Sequence, residues 1–168
     1  MTRKGQAIIS AIALATIFTI TASAQQDFTL TTLDGQSVSL AAQRGKVVVL
    51  LFSGAQDPQC HDAVQALAAL ADRYQGKPVS IYLVSVNSAN AASDAQLKQA
   101  CGPLGSVIMA RDPNQAAFKQ FSGKRPQLPT VVVLNKQGQM QGQPRGGFNP
   151  NSDFVNDLAA IIDSALAR

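Results

Sequence analysis

The sequence predicts an α/β fold, a mixed β-sheet flanked by helices and opened by an N-terminal β-hairpin. Two observations carry this expectation. Strand-like and helix-like segments alternate several times beyond Gly45, which implies parallel pairing with right-handed crossovers. Near the C-terminus, two strands joined by a tight turn precede a last helix, which adds an antiparallel edge to the sheet.

The first residues are set apart from that fold. Arg3 and Lys4 precede an apolar run from Ala7 to Ile20, followed by Ala22-Ser23-Ala24. This is the pattern of a secretory signal with a small-residue cleavage site. Residues 1–24 are expected to be a signal peptide and 25–168 a single domain, long enough for a sizeable core. An uncleaved membrane anchor is the alternative. No cysteine follows the cleavage site, so a lipid anchor has no support. The expected product is exported, periplasmic or secreted, with no stable membrane insertion after cleavage.

In the mature chain, Phe28 to Thr31 and Ser37 to Leu40 flank the turn Leu33-Asp34-Gly35-Gln36, a hairpin signal. Val47 to Phe52 is an unbroken apolar run rich in β-branched residues and reads as a strand buried on both faces. A helix follows, with Asp57 as its expected N-cap, Pro58 at its first position, and Val64, Leu67, Leu70 and Ala71 on its apolar face to about Tyr74. Gly76 and Pro78 stop it.

Val79 to Val86 is the next strand, and Asp94 to Cys101 a short helix closed by Gly102-Pro103. Val107 to Met109 is a short strand and Asn114 to Phe121 a helix, the inserted strand-helix element of the fold. Thr130 to Leu134 is a central strand, and Asn135-Lys136-Gln137-Gly138 turns the chain into a weak strand near Met140. Gly142 to Pro150 reads as a loop. Ser152 is the expected cap of a last helix whose stripe is Phe154, Leu158, Ile161, Ile162 and Leu166.

Charge and composition narrow the function classes. The formal charge of +4 falls to +2 once Arg3 and Lys4 leave, and the remaining Lys and Arg are scattered. Without a basic stripe, nucleic acid is not an expected partner. The two cysteines, Cys60 and Cys101, and the single histidine, His61, make no zinc pattern. Neither a metal nor a cofactor is expected. A copper-handling role for Cys60 and His61 would need more ligands than the chain presents.

The order of elements, with the hairpin at the start and the insertion at Val107, resembles the thioredoxin-like redoxins, in particular the TlpA and AhpC/TSA branch. The likeness extends over nearly the whole mature chain. Such proteins place reactive cysteines on the turn between the first central strand and the next helix, here Phe52 to His61. Helix N–H groups and the positive end of the helix dipole favour a thiolate there. Cys60 is expected at about the third helical position. In Asp57-Pro58-Gln59-Cys60, Asp57 stands where thioredoxins have the exposed cysteine and Cys60 where they have the second. Peroxiredoxins keep one cysteine at this second position, after Thr or Ser rather than Asp. A carboxylate at this N-cap competes for helix N–H groups and sets negative charge beside the sulfur, and both effects disfavour the thiolate.

Cys101 resembles the resolving cysteine of atypical two-cysteine thiol peroxidases, which closes an intramolecular disulfide. Three outcomes stay open: a resolving disulfide, a plain structural disulfide, and two thiols that never meet. Leu128-Pro129-Thr130 resembles the site where thioredoxins carry a cis proline facing the cysteine, with backbone groups that pair with an extended substrate. Pro129 at the start of a strand also has an ordinary structural explanation. Arg125 lies near the place of the peroxiredoxin arginine but reads as an exposed loop charge. His61 reads as an exposed first-turn residue, Phe52 and Tyr82 as packing residues, and Phe148 as a groove-lining candidate.

The resemblance implies a thiol-disulfide oxidoreductase or thiol peroxidase acting through Cys60 and Cys101, with Asp57, Pro58, Pro129 and Thr130 shaping the groove. Its substrate would be a protein thiol, a disulfide or a peroxide, and a separate protein would supply reductant. The alternative is a redox-silent module that binds an extended segment of a partner protein beside Pro129.

Overall fold

Val47–Ser53 forms β3, and all seven of its residues are buried. Its side chains alternate between two cores: Val47, Val49 and Leu51 face one, Val48, Leu50 and Phe52 the other. That explains the continuous apolar run, because a strand covered on both faces has no polar side. The computed structural model describes residues 27–102, 105–124, 126–146 and 153–168. The expected signal peptide, Pro103, Arg125, Phe148 and Ser152 lie outside them.

Around β3 the described residues build a seven-stranded mixed sheet. The hairpin strands β1 (Thr29–Thr32) and β2 (Ser37–Ser39) form one edge. β4 (Val79–Ser85) runs parallel to β3 and to β5 (Ile108–Arg111), while β6 (Thr130–Leu134) runs antiparallel to β3. β7 (Arg145–Gly146) closes the other edge. Two residues of the segment expected to be loop thus pair with β6, and Met140 makes only an isolated bridge to Leu134. The exposed, two-residue β7 carries no apolar pattern; it is placed by its pairing with β6, and Arg145 also forms an exposed ion pair with Asp157 at 2.8 Å.

α1 (Cys60–Arg73) and α4 (Phe154–Leu166) cover one face. The expected α4 stripe is buried at Phe154, Leu158 and Ile162, with Ile161 and Leu166 half-buried at its margin. α2 (Asp94–Cys101) joins them, its start defined by a capping box between Ser93 and Gln96. The other face packs Phe28, Leu30 and Phe121, the last from α3 (Ala116–Phe121). α3 starts two residues later than expected. The buried Asp112 carboxylate accepts the N–H groups of Ala116 and Phe118 at 2.9 and 2.8 Å, and Gln115 takes a left-handed φ of 54° to reach that cap.

Tyr74 ties the end of α1 to α4, donating from its hydroxyl to Ala159 C=O at 3.0 Å and to Asp163 at 2.9 Å. Burial first, then the bond to Asp163 and that carboxylate's charge, push the phenol from 10.0 up to about 12, against a smaller pull from Arg73. Because the folded value is the higher one, Tyr74's contribution is complete below pH 10.0 and lost as pH rises through about 12. Urea titrations across that window should show wild-type stability falling more steeply than that of Tyr74→Phe. Burial raises the Tyr82 phenol as well, so it adds to the slope in both proteins.

Candidate redox site

The site forms where β3 ends and the chain turns into α1. The N–H of Cys60 donates to Asp57 C=O at 3.1 Å, and the N–H of Ala63 to Gln59 C=O at 3.0 Å. The helix therefore begins at Cys60, with Gln59 as its N-cap. This corrects the expected start: Asp57 is not the cap, Pro58 is not the first helical residue, and Cys60 is first rather than third. The reason is local. Asp57 Oδ1 accepts the N–H of Gln59 at 3.0 Å, closing an Asx turn before the helix. Its Oδ2 accepts the Ser53 hydroxyl at 3.1 Å. The carboxylate bonds the cap residue's amide instead of the interior helix N–H groups. Its charge stays in the turn that leads to Cys60.

Cys60 is joined to Cys101 in a disulfide spanning 41 residues, with Cα atoms 5.3 Å apart. Two of the three outcomes left open by the sequence, a resolving and a structural disulfide, are compatible with this bond; two unpaired thiols are not. Cys60 is 1% and Cys101 2% exposed. Beneath the sulfurs, Ser53, Leu83, Ser85, Leu97 and Met109 line a cavity of about 10 Å³, at the lower limit for one water molecule. A substrate has no room behind the disulfide.

On the outer side, an open groove of about 320 Å³ runs over Gly54, Ala55, Asp57, Pro58, Asn87 and Leu128. The Leu128–Pro129 peptide bond is cis. Thr130 pairs with Phe52 in the β3–β6 register, which sets Pro129 beside the end of β3. Thr130 is buried and its hydroxyl donates to Gln127 C=O. Leu128 is 40% exposed, an apolar side chain held at the mouth of the groove. Of the expected groove residues, Asp57 and Pro58 line this groove, while Cys60, Pro129 and Thr130 are not part of its lining.

His61 is exposed, as expected, and lies against α2's end. A Cβ added at Gly102 would stand 3.0 Å from His61 Nδ1, and Gly102 has a φ of +72°. Only glycine meets both demands without strain. Among the described residues no group of three or more His, Cys, Asp or Glu is placed to hold a metal ion. No helix among them is long and apolar enough to cross a membrane.

Arg111 is the residue that sequence reasoning missed. At the end of β5 it is nearly buried, bonded to Asp94, Ala92 C=O and Asn87 C=O. The one local signal was a charged residue closing an apolar strand before Asp112-Pro113; its partners lie 17 to 24 residues away.

This architecture, with a cysteine at the first turn after the central strand and a cis proline beside it, defines a thioredoxin-like redoxin domain. The AhpC/TSA family profile matches residues 21–143, and the chain belongs to that family. No curated protein sequence matches it significantly. Solved structures share the fold at low identity. A Chlorobium tepidum chain assigned as a thiol:disulfide interchange protein, DsbE, is 22% identical with a TM-score of 0.70, covering 84% of this chain and 94% of that one. The exposed lipoprotein thioredoxin Etrx1 of Streptococcus pneumoniae is 19% identical, with a TM-score of 0.66 and coverages of 82% and 99%. A secreted Mycobacterium tuberculosis disulfide oxidoreductase is 18% identical, with a TM-score of 0.61 and coverages of 82% and 95%.

Proposed function

We propose that this protein is an exported thiol redox protein that cycles between the Cys60–Cys101 disulfide and the dithiol. The observation that carries the reading is a disulfide between distant cysteines at the first turn of α1, beside an open groove and a cis proline. In this reading Cys60 attacks and Cys101 resolves, while Asp57 and Pro58 line the groove and Pro129 and Thr130 support it from the start of β6.

With a disulfide substrate, the Cys60 thiolate forms a mixed disulfide and releases one substrate thiolate. The Cys101 thiolate then attacks Cys60 Sγ, releasing the second thiolate and forming the intramolecular disulfide. With a peroxide, Cys60 becomes a sulfenic acid as an alkoxide or hydroxide leaves, and condensation with the Cys101 thiol releases water. A dithiol protein returns the disulfide to two thiols and is itself oxidised. Because both sulfurs are buried, α2's C-terminal turn must move off Cys60 to admit substrate.

Turnover of model disulfides and of hydrogen peroxide tests the proposal. Cys60→Ser should abolish both, and Cys101→Ser should stop the cycle after the first half-reaction. Full turnover by Cys60→Ser would overturn the reading. In the reduced protein, Asp57→Asn should raise the iodoacetamide reaction rate of Cys60 about threefold to tenfold, because it removes a negative charge from the turn that presents Cys60.

A second reading, a redox-silent module that binds an extended partner segment, is favoured by the burial of both sulfurs and by Asp57 in place of an exposed cysteine. It predicts partner binding unchanged by replacing both cysteines with serine.

Export follows from the signal pattern of residues 1–24 and agrees with the compartments of the secreted and lipoprotein structural neighbours. The intact mass of the exported protein should correspond to a chain beginning at Gln25.

A further inference from the structure

α2 has eight residues and buries only Leu97 and Cys101. A helix so short does not persist by itself in water, so its attachments decide where Cys101 sits. One attachment is the disulfide at its C-terminal end. Besides the core contact of Leu97, a further attachment is Arg111, whose side chain is 9% exposed. Its Nε donates to Asp94 Oδ1 at 2.9 Å, and its Nη2 to the same oxygen and to Ala92 C=O at 2.7 Å. Its Nη1 donates to Asn87 C=O at 3.2 Å. Asn87 carries the connection onward, since its Oδ1 accepts the N–H of Ala55 at 2.6 Å. Ala55 belongs to the turn that presents Cys60. A single guanidinium therefore holds the segment leading to Cys101 and, through Asn87, touches the segment leading to Cys60.

We infer that Arg111 is a positioning residue that sets the effective concentration of the two thiols and thereby the strength of the Cys60–Cys101 disulfide. The inference requires the disulfide but no catalytic activity. In the oxidised protein both ends of α2 are held. On reduction the C-terminal tether is lost, and the charge-assisted bonds of Arg111 keep the N-terminal end in place. Cys101 is then free to leave Cys60 and returns to it from a narrow range of positions. Without Arg111 the oxidised form is still pinned by its covalent bond, whereas reduced α2 wanders. Closure must then order the whole segment, and the equilibrium moves toward the dithiol.

Equilibration of the protein with glutathione and its disulfide tests this, with alkylation and intact mass reporting the oxidised fraction. Each closure oxidises two cysteine thiols to one disulfide and reduces one glutathione disulfide to two thiols. Arg111→Met should lower the equilibrium constant about tenfold, equal to about 30 mV for this two-electron couple. Arg111→Lys, which keeps the charge without the planar fork, and Asp94→Asn should shift it in the same direction by less. Tyr74→Phe, which removes hydrogen bonds between α1 and α4, should leave it within about twofold.

In hydrogen exchange, the Gln96 and Leu97 amides, which donate to Ser93, should stay protected in the reduced wild type and lose protection in reduced Arg111→Met, while both oxidised proteins are protected. An equilibrium constant for Arg111→Met within about twofold of wild type, or equal exchange in the two reduced forms, would overturn the proposal. If Arg111→Met does not fold, unchanged constants in both Arg111→Lys and Asp94→Asn would do the same.

Discussion

Replacing both Cys60 and Cys101 with serine is expected to lower the stability of the oxidised protein by about 4 kcal/mol, the chain-entropy value for a closed loop of this length. The loop spans 41 residues and contains α1, β4 and α2, so the cross-link removes many conformations from the unfolded chain. For a domain of this size the loss corresponds to a fall in Tm of roughly 15 °C. Urea unfolding of wild type with and without reductant, beside the double variant, checks it. Reduced wild type and the variant should coincide to within about 1 kcal/mol. A difference between oxidised and reduced protein below about 1 kcal/mol would show that the disulfide does little to constrain the unfolded chain. The measurement bears on function as well, because a stabilising bond and a redox-active bond make different demands: the second must open under physiological reductants.

Phe52→Ala is expected to cost about 3–5 kcal/mol, the range for deleting a buried aromatic ring. Phe52 is 0% exposed on the central strand, and its ring lies 5.5 Å from that of Phe118. The cavity would open between β3 and α3, directly behind the strand end from which the Cys60 turn springs. Leu128→Ala is the contrasting case. With 40% of its surface exposed, Leu128 should change stability by no more than about 0.5 kcal/mol. Equal losses from the two variants would contradict the core described here.

Much of the fold is legible in the sequence because it rests on local signals. β3, β6 and α2 lie where the apolar runs and the glycine after Cys101 place them, whereas the strand expected near Met140 is only an isolated bridge and the edge strand lies at Arg145–Gly146. The cis proline falls at Leu128-Pro129, the position the family resemblance indicated. The two late helix starts share one cause. Asp57 and Asp112 are both aspartates before a proline, and each bonds amides further along so that its helix starts later than the cap pattern implies. Pattern reading identifies a capping residue; the backbone geometry decides what it caps.

The sequence by itself determined the architecture, the presence of Cys60 at the start of a helix, and the aspartate three residues before it. Those follow from periodicity, turn residues and motif position, which act over a few residues. Only the tertiary structure decided that Cys60 meets Cys101, that both sulfurs are buried, that Arg111 bonds Asp94 at the start of α2, and that Arg145-Gly146 closes the sheet. Each depends on groups far apart in the chain, brought together because burying apolar faces leaves one arrangement of the helices on the sheet. No local window contains that arrangement.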